Sequence, residues 1–187
     1  MSRLDSFIRR MQAQRTCIDF AARRGMLPEG SIFELGLGNG RTYDHLRTSF
    51  RSREVFVFDR KVDAHPACVP DADHLFLGEI TEMLPRVAPR FRGRVAFVHL
   101  DISTGDDALD RVLTRTLAPL ITEVAAPGAL AASDQALPLP GWEPVSINPR
   151  IPKNRYFLYR RNGAAAALPA GKRKSAASGE QSTAVWS

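Results

Sequence analysis

Apolar positions along this chain follow two periods in turn. Leu4, Phe7, Ile8, Met11, Ile18, Ala21 and Ala22 recur near helical spacing, with a polar break at Gln14 and Arg15, which predicts an amphipathic helix over residues 3–24 stopped by Gly25. Short β-prone runs then alternate with helical stretches. Strands are expected at Ser31–Leu35, at Glu54–Phe58, from His74 to near Gly78, at Arg94–Leu100 and at Ala129–Ser133. Between them fall a helix over Arg41–Phe50, a loop rich in Pro and Asp (Asp63–Asp73), and a helical segment that Pro85 and Pro89 are expected to break. A long helix follows, with Thr104 as its expected cap, Asp106 and Asp107 at the positive end of its dipole, and a buried stripe of Leu109, Val112, Leu113, Leu117, Leu120, Ile121 and Val124. Pro119 is expected to kink it and Pro127-Gly128 to end it. Trp142–Ile147 and Arg155–Arg160 read as two closing strands joined by a loop containing Pro149 and Pro152. The alternation predicts an α/β fold: a three-layer α/β/α sandwich on a mostly parallel seven-stranded sheet with an antiparallel terminal hairpin. Such a hairpin differs from the second mononucleotide-binding half of a dehydrogenase.

The run Glu34–Gly40 (ELGLGNG) joins the first strand to the next helix. Gly36, Gly38 and Gly40, at every second position, let the chain turn sharply and leave its peptide planes open to a ligand. A dinucleotide fingerprint needs its third glycine where this chain has Arg41. Glu34 is a poor neighbour for a diphosphate but suits a ligand carrying a sulfonium and an ammonium group. Asp59, at the tip of the second strand, is placed to accept hydrogen bonds from a ribose diol, and Glu79, just beyond the third, to accept from an adenine amino group.

The segments ELGLGNGRTYDHLR, FDR (Phe58–Arg60), LGEI (Leu77–Ile80) and HLDIS (His99–Ser103) resemble the class I S-adenosylmethionine-dependent methyltransferases, in a small bacterial branch, over about Ser31 to Arg161. The resemblance implies a Rossmann-like fold that binds S-adenosyl-L-methionine and releases S-adenosyl-L-homocysteine. By position it places Glu34, Gly36, Gly38, Asn39 and Gly40 around the methionine half and ribose, Asp59 on the ribose, and Glu79 and Ile80 on adenine. An aspartate is commoner than a glutamate at the Glu79 position. It also sets Asp101 beside the methyl-transfer centre. In-line displacement needs chiefly alignment, plus a proton acceptor where the nucleophile must be deprotonated. Asp101 is the first catalytic candidate. His99, two residues earlier on the same strand face, is the second, set against a role as a hydrogen-bonded core histidine. Some class I O-methyltransferases hold a divalent metal with two aspartates and an asparagine amide; the corresponding set here is Asp101, Asp134 and Gln135. Gln135 is longer by a methylene, so the expectation is no metal, with that set as the alternative.

Bulk properties narrow the partners. The 187 residues suit one domain, and no stretch approaches the roughly 20 apolar residues that cross a bilayer. The amino terminus lacks an apolar signal core, and Cys17 and Cys68 lie far apart, which points to reduced thiols and a cytoplasmic setting. Of the net charge of +6, residues 1–24 hold six arginines against Asp5 and Asp19, and residues 164–187 hold Lys172, Arg173 and Lys174 against Glu180, so the middle is neutral. That distribution argues against a nucleic-acid groove and for a small-molecule methyl acceptor. The expected organisation is an N-terminal helix (1–24) that either packs on the sheet or acts as a lid, a catalytic domain (25–163), and a basic, disordered tail (164–187) too poor in apolar residues to fold. Only a short link, Ala136–Gly141, follows the fifth strand, so the acceptor pocket is shallow, covered by the first helix or completed by another subunit of a homo-oligomer. The alternative to an enzyme is a non-catalytic module that senses the cofactor or scaffolds a partner.

Overall fold

The structure, a computed structural model, describes residues 2–146 and 155–163. The expected loop around Pro149 and Pro152, the end of the strand at Ile147 and the tail 164–187 lie outside the described residues. The elements are α1 (Arg3–Ala21), β1 (Ser31–Leu35), α2 (Arg41–Ser49), β2 (Val55–Asp59), β3 (Leu75–Leu77), α3 (Ile80–Phe91), β4 (Val95–Leu100), α4 (Asp107–Val124), β5 (Ala125–Ser133), β6 (Trp142–Pro144) and β7 (Phe157–Arg161). They form one seven-stranded sheet in the order β3-β2-β1-β4-β5-β7-β6. The first five strands run parallel, while β7 pairs antiparallel with β5 and with β6.

Period-2 alternation assigns each strand residue to a layer. Phe33, Leu35, Phe56, Phe58, Val98 and Leu100 pack with Leu84, Ala88 and Phe91 of α3 and Leu117, Ile121 and Val124 of α4. Ile32, Val57, Phe97, Leu130 and Ala132 pack on the opposite side with Ala13, Cys17, Ile18 and Ala21 of α1 and Leu46 of α2. Both faces are therefore covered, as a parallel sheet requires.

Two expectations change at the prolines. Pro85 and Pro89 lie inside α3 without breaking it. Both are exposed, so the carbonyls that lose a helical donor face water while Leu84, Ala88 and Phe91 hold the buried side. Pro119 likewise sits on the exposed side of α4. Pro127-Gly128 does not separate helix from strand: β5 begins at Ala125, directly after α4, and the pair lies in an irregularity where its register with β4 passes from Val95↔Ala125 to Phe97↔Leu130.

The cap and inner face of α4 also differ from expectation. Asp106, not Thr104, is the N-cap, accepting from the backbone of Ala108 and Leu109. Leu109 and Val112 are 58% and 63% exposed, and Asp110 and Thr114 turn inward instead. Asp110 can be buried because Ser103 Oγ, Thr104 Oγ1 and the Thr104 backbone N–H all donate to its carboxylate, at 2.8–2.9 Å.

Candidate active site

The carboxyl ends of β1, β2, β3 and β4 surround a cavity of about 610 Å3, within the size range of small-molecule sites. Gly36 and Gly38, Asp59, Glu79 with Ile80, and Asp101 stand on its walls. Strand order explains the convergence: neighbouring parallel strands bring residues distant in sequence to one edge.

Asp59 fixes the glycine loop. Its Oδ2 accepts from the backbone N–H of Leu37 at 2.7 Å and of Gly38 at 3.0 Å, and its Oδ1 from Lys61 N–H at 3.3 Å. Gly36 has φ +102°, and a Cβ there would stand 2.7 Å from the Asp101 carbonyl oxygen, so only glycine lets the loop lie against the end of β4. Around Gly38 a Cβ would meet nothing within 4 Å. Glu79 is the residue before α3 and its Oε1 is 4.0 Å from Arg60 Nη1.

Three residues grouped with the cofactor by sequence do not line this cavity. Glu34 is fully buried beneath the loop and does not reach the cavity lining. Gly40 is buried at the N-cap of α2, against Cys68 and Ala64. Asn39 is exposed, turns its Oδ1 to Arg41 N–H at 3.2 Å, and lines a second depression of about 240 Å3.

Glu34 belongs to a buried polar chain. His99 Nδ1 lies 2.5 Å from Glu34 Oε2, and His99 Nε2 lies 2.5 Å from the hydroxyl of Tyr156, at the entry to β7. Burial pushes the Glu34 carboxyl above its ordinary range, opposed by the pull of His99. Burial alone would lower the imidazole, but the Glu34 charge and hydrogen bond hold it above its ordinary value. Each group offsets part of the other's burial cost through this contact. His99 is fully buried, hydrogen-bonded on both ring nitrogens, and lines neither depression.

Asp101 lies at the junction of the cavity and the second depression and lines both. Arg10 Nη1 donates to its Oδ1 at 2.7 Å and Gln14 Nε2 to its Oδ2 at 3.0 Å, both from α1. The helix is thus fastened to the sheet through Ala13, Cys17, Ile18 and Ala21 while its amino-terminal half reaches over the sheet edge. From the sequence, Arg10 and Tyr156 have no assigned role and Gln14 is marked only as a polar break. The available signal was Gln14, a polar side chain interrupting an apolar stripe where the core should begin.

In the alternative metal set, Asp101 and Gln135 are committed to other partners. Asp101 is engaged by Arg10, and Gln135 turns its amide to Ser103 Oγ at 3.2 Å and Asp110 at 3.4 Å. Among the described residues no cluster of three His, Cys, Asp or Glu is arranged around a metal position. Asp134 instead has a buried Oδ1 without a hydrogen-bond partner among the described residues, and burial, reinforced by the nearby Asp101 charge, pushes its carboxyl up to about 6.

Comparison with known proteins fits this geometry. A family described as S-adenosyl-L-methionine methyltransferase matches residues 1–161. The crystal structure of an S-adenosyl-L-methionine methyl transferase from Silicibacter pomeroyi DSS-3 is similar at 39% identity and a TM-score of 0.81, covering 87% of this chain and 99% of that one. Human methyltransferase-like protein 13, solved in complex with SAH, shares the fold at 10% identity and a TM-score of 0.57, covering 84% and 85%. No curated protein matches the sequence.

Proposed function

The chain belongs to the S-adenosyl-L-methionine methyltransferase family, and from that footing we propose that it methylates a small molecule in the cytoplasm of a bacterium, with Asp101 at the transfer point. It is an S-adenosyl-L-methionine-dependent enzyme. The residues present suit that cofactor. The cavity is large enough, its wall at Gly38 is free of side chains, and Asp59, Asp63, Glu79 and Asp101 oppose only Arg60 and Lys61 on its lining, which favours a ligand with cationic groups. When bound, the cofactor supplies a methyl group already activated on a sulfonium sulfur.

The chain's own residues do the rest. A carboxylate offers about four lone-pair positions, so Asp59 keeps capacity for ribose hydroxyls while holding Leu37 and Gly38. Glu79 and Ile80 flank the adenine end. Arg10 and Gln14 pin Asp101, so its carboxylate orients the acceptor with little loss of rotamer freedom. Alignment of this kind supplies roughly 7–11 kcal/mol of barrier reduction. The single observation that carries the reading is the cavity itself, which joins the Asp59-braced glycine loop to Asp101. A depression of about 240 Å3 beside it, rather than an extended groove, favours a small acceptor. Titration calorimetry tests the assignment: S-adenosyl-L-homocysteine binds and NAD does not, and the reverse result overturns it.

A further inference from the structure

The two depressions that meet at Asp101 carry opposite charge. On the cofactor cavity, with Asp101 paired to Arg10, Asp59, Asp63 and Glu79 still outnumber Arg60 and Lys61. The smaller depression, between the amino-terminal half of α1 and the start of α2, sets Arg10, Arg15 and Arg41 against Asp101 alone. Its cations differ in commitment. Arg10 spends one donor on Asp101 at 2.7 Å, which cancels that charge and leaves further N–H groups of its fork. Arg15 is 3.5 Å from Asp19, which His45 Nε2 also meets at 2.8 Å. Arg41 is exposed and its guanidinium makes no ion pair among the described residues. Phe7 and Met11 give the same depression an apolar side, with Phe7 45% exposed and its ring 5.9 Å from the Arg10 guanidinium.

Resting on the small-molecule reading above, we propose that the acceptor is a carboxylate with an apolar body, its anion at Arg41 and Arg10 and its apolar part on Phe7 and Met11. This places an anionic acceptor next to a cofactor with cationic groups, with Asp101 neutralised by Arg10 between them. Arg10 then has two tasks, to hold Asp101 and to receive the acceptor's charge. Arg41 has only the second, which makes it the residue to change.

The test uses the full chain saturated with S-adenosyl-L-homocysteine and labelled with 13C on its methionine methyl groups. Met11 lines the smaller depression. Met83 reports on the other, since its Cγ stands 3.0 Å from where a Cβ on the cavity-lining Gly78 would be. Titration with 3-phenylpropionate shifts the Met11 signal saturably, and 3-phenylpropylamine, of like shape and opposite charge, does not. Arg41→Glu weakens 3-phenylpropionate by at least about tenfold, the loss of one charge-assisted contact, while Met83 still responds to S-adenosyl-L-homocysteine. Equal or tighter binding of the amine, unchanged binding in Arg41→Glu, or a silent Met11 would overturn the proposal. Absence of any Met83 response to S-adenosyl-L-homocysteine would overturn the cofactor assignment, and this proposal with it, in a step separate from the probe titrations.

Discussion

Asp59 braces the glycine loop through two backbone donors before any ligand is considered, so its removal acts twice. Asp59→Ala is expected to weaken S-adenosyl-L-homocysteine binding by about 1–3 kcal/mol, the cost of leaving its partners unpaired; calorimetry giving wild-type affinity would refute the contact. Asp134 gives a pH-dependent prediction. Its folded carboxyl, at about 6, lies above its ordinary 3.8, so the native state holds its proton more tightly than the unfolded chain. The stabilisation is whole below pH 3.8, falls as pH rises, and is gone above about 6. Urea unfolding at pH 4 and pH 8 should therefore show Asp134→Asn gaining on the wild type at the higher pH, by at most about 3 kcal/mol. At this scale the sequence exposed Asp59, Glu79 and Asp101 because each ends a strand beside a recognisable motif. It hid the pairing of Glu34 with His99, since the two are 65 positions apart and meet only through the parallel register of β1 with β4. A lone acid within Ile32–Leu35 and a lone base within Val95–Leu100 were the trace of it.

The helices show how local chemistry sets boundaries. At the start of α4, Asp106 accepts from Ala108 and Leu109 while Thr104 is drawn inward by Asp110. Asp106→Ala is accordingly expected to cost about 1 kcal/mol of stability in denaturant unfolding, and no loss would mean that the cap is dispensable. Strands and helices were legible because alternation and helical periodicity are properties of adjacent residues. Less legible was which side of α4 turns inward at its start. Leu109 and Val112 look like core, but the helix there lies beyond the sheet edge and its inner face meets Ser103 and Thr104. The same edge explains α1, whose stripe is buried from Ala13 onward and uncovered at Leu4, Phe7 and Ile8. Only the assembled sheet shows where support for a helix ends.

For the molecule as a whole, binding and folding are linked through the cavity at the carboxyl edge. At a concentration of 100 times its dissociation constant, a ligand selective for the native state adds about 2.7 kcal/mol, so S-adenosyl-L-homocysteine should raise the melting temperature by about 5–11 °C for a chain of this size. NAD should leave it unchanged, and a calorimetric scan distinguishes the two. The geometry at Gly36 has a practical consequence for anyone adapting this enzyme to bulkier synthetic methyl donors. A Cβ on Gly36 would stand 2.7 Å from the main-chain oxygen of Asp101, so enlarging it displaces Asp101 along with the wall of the cavity. Gly38 faces vacant space but holds φ +51°, so a side chain there meets no neighbour yet strains the loop that Asp59 braces, and the strain stays on that side of the cavity.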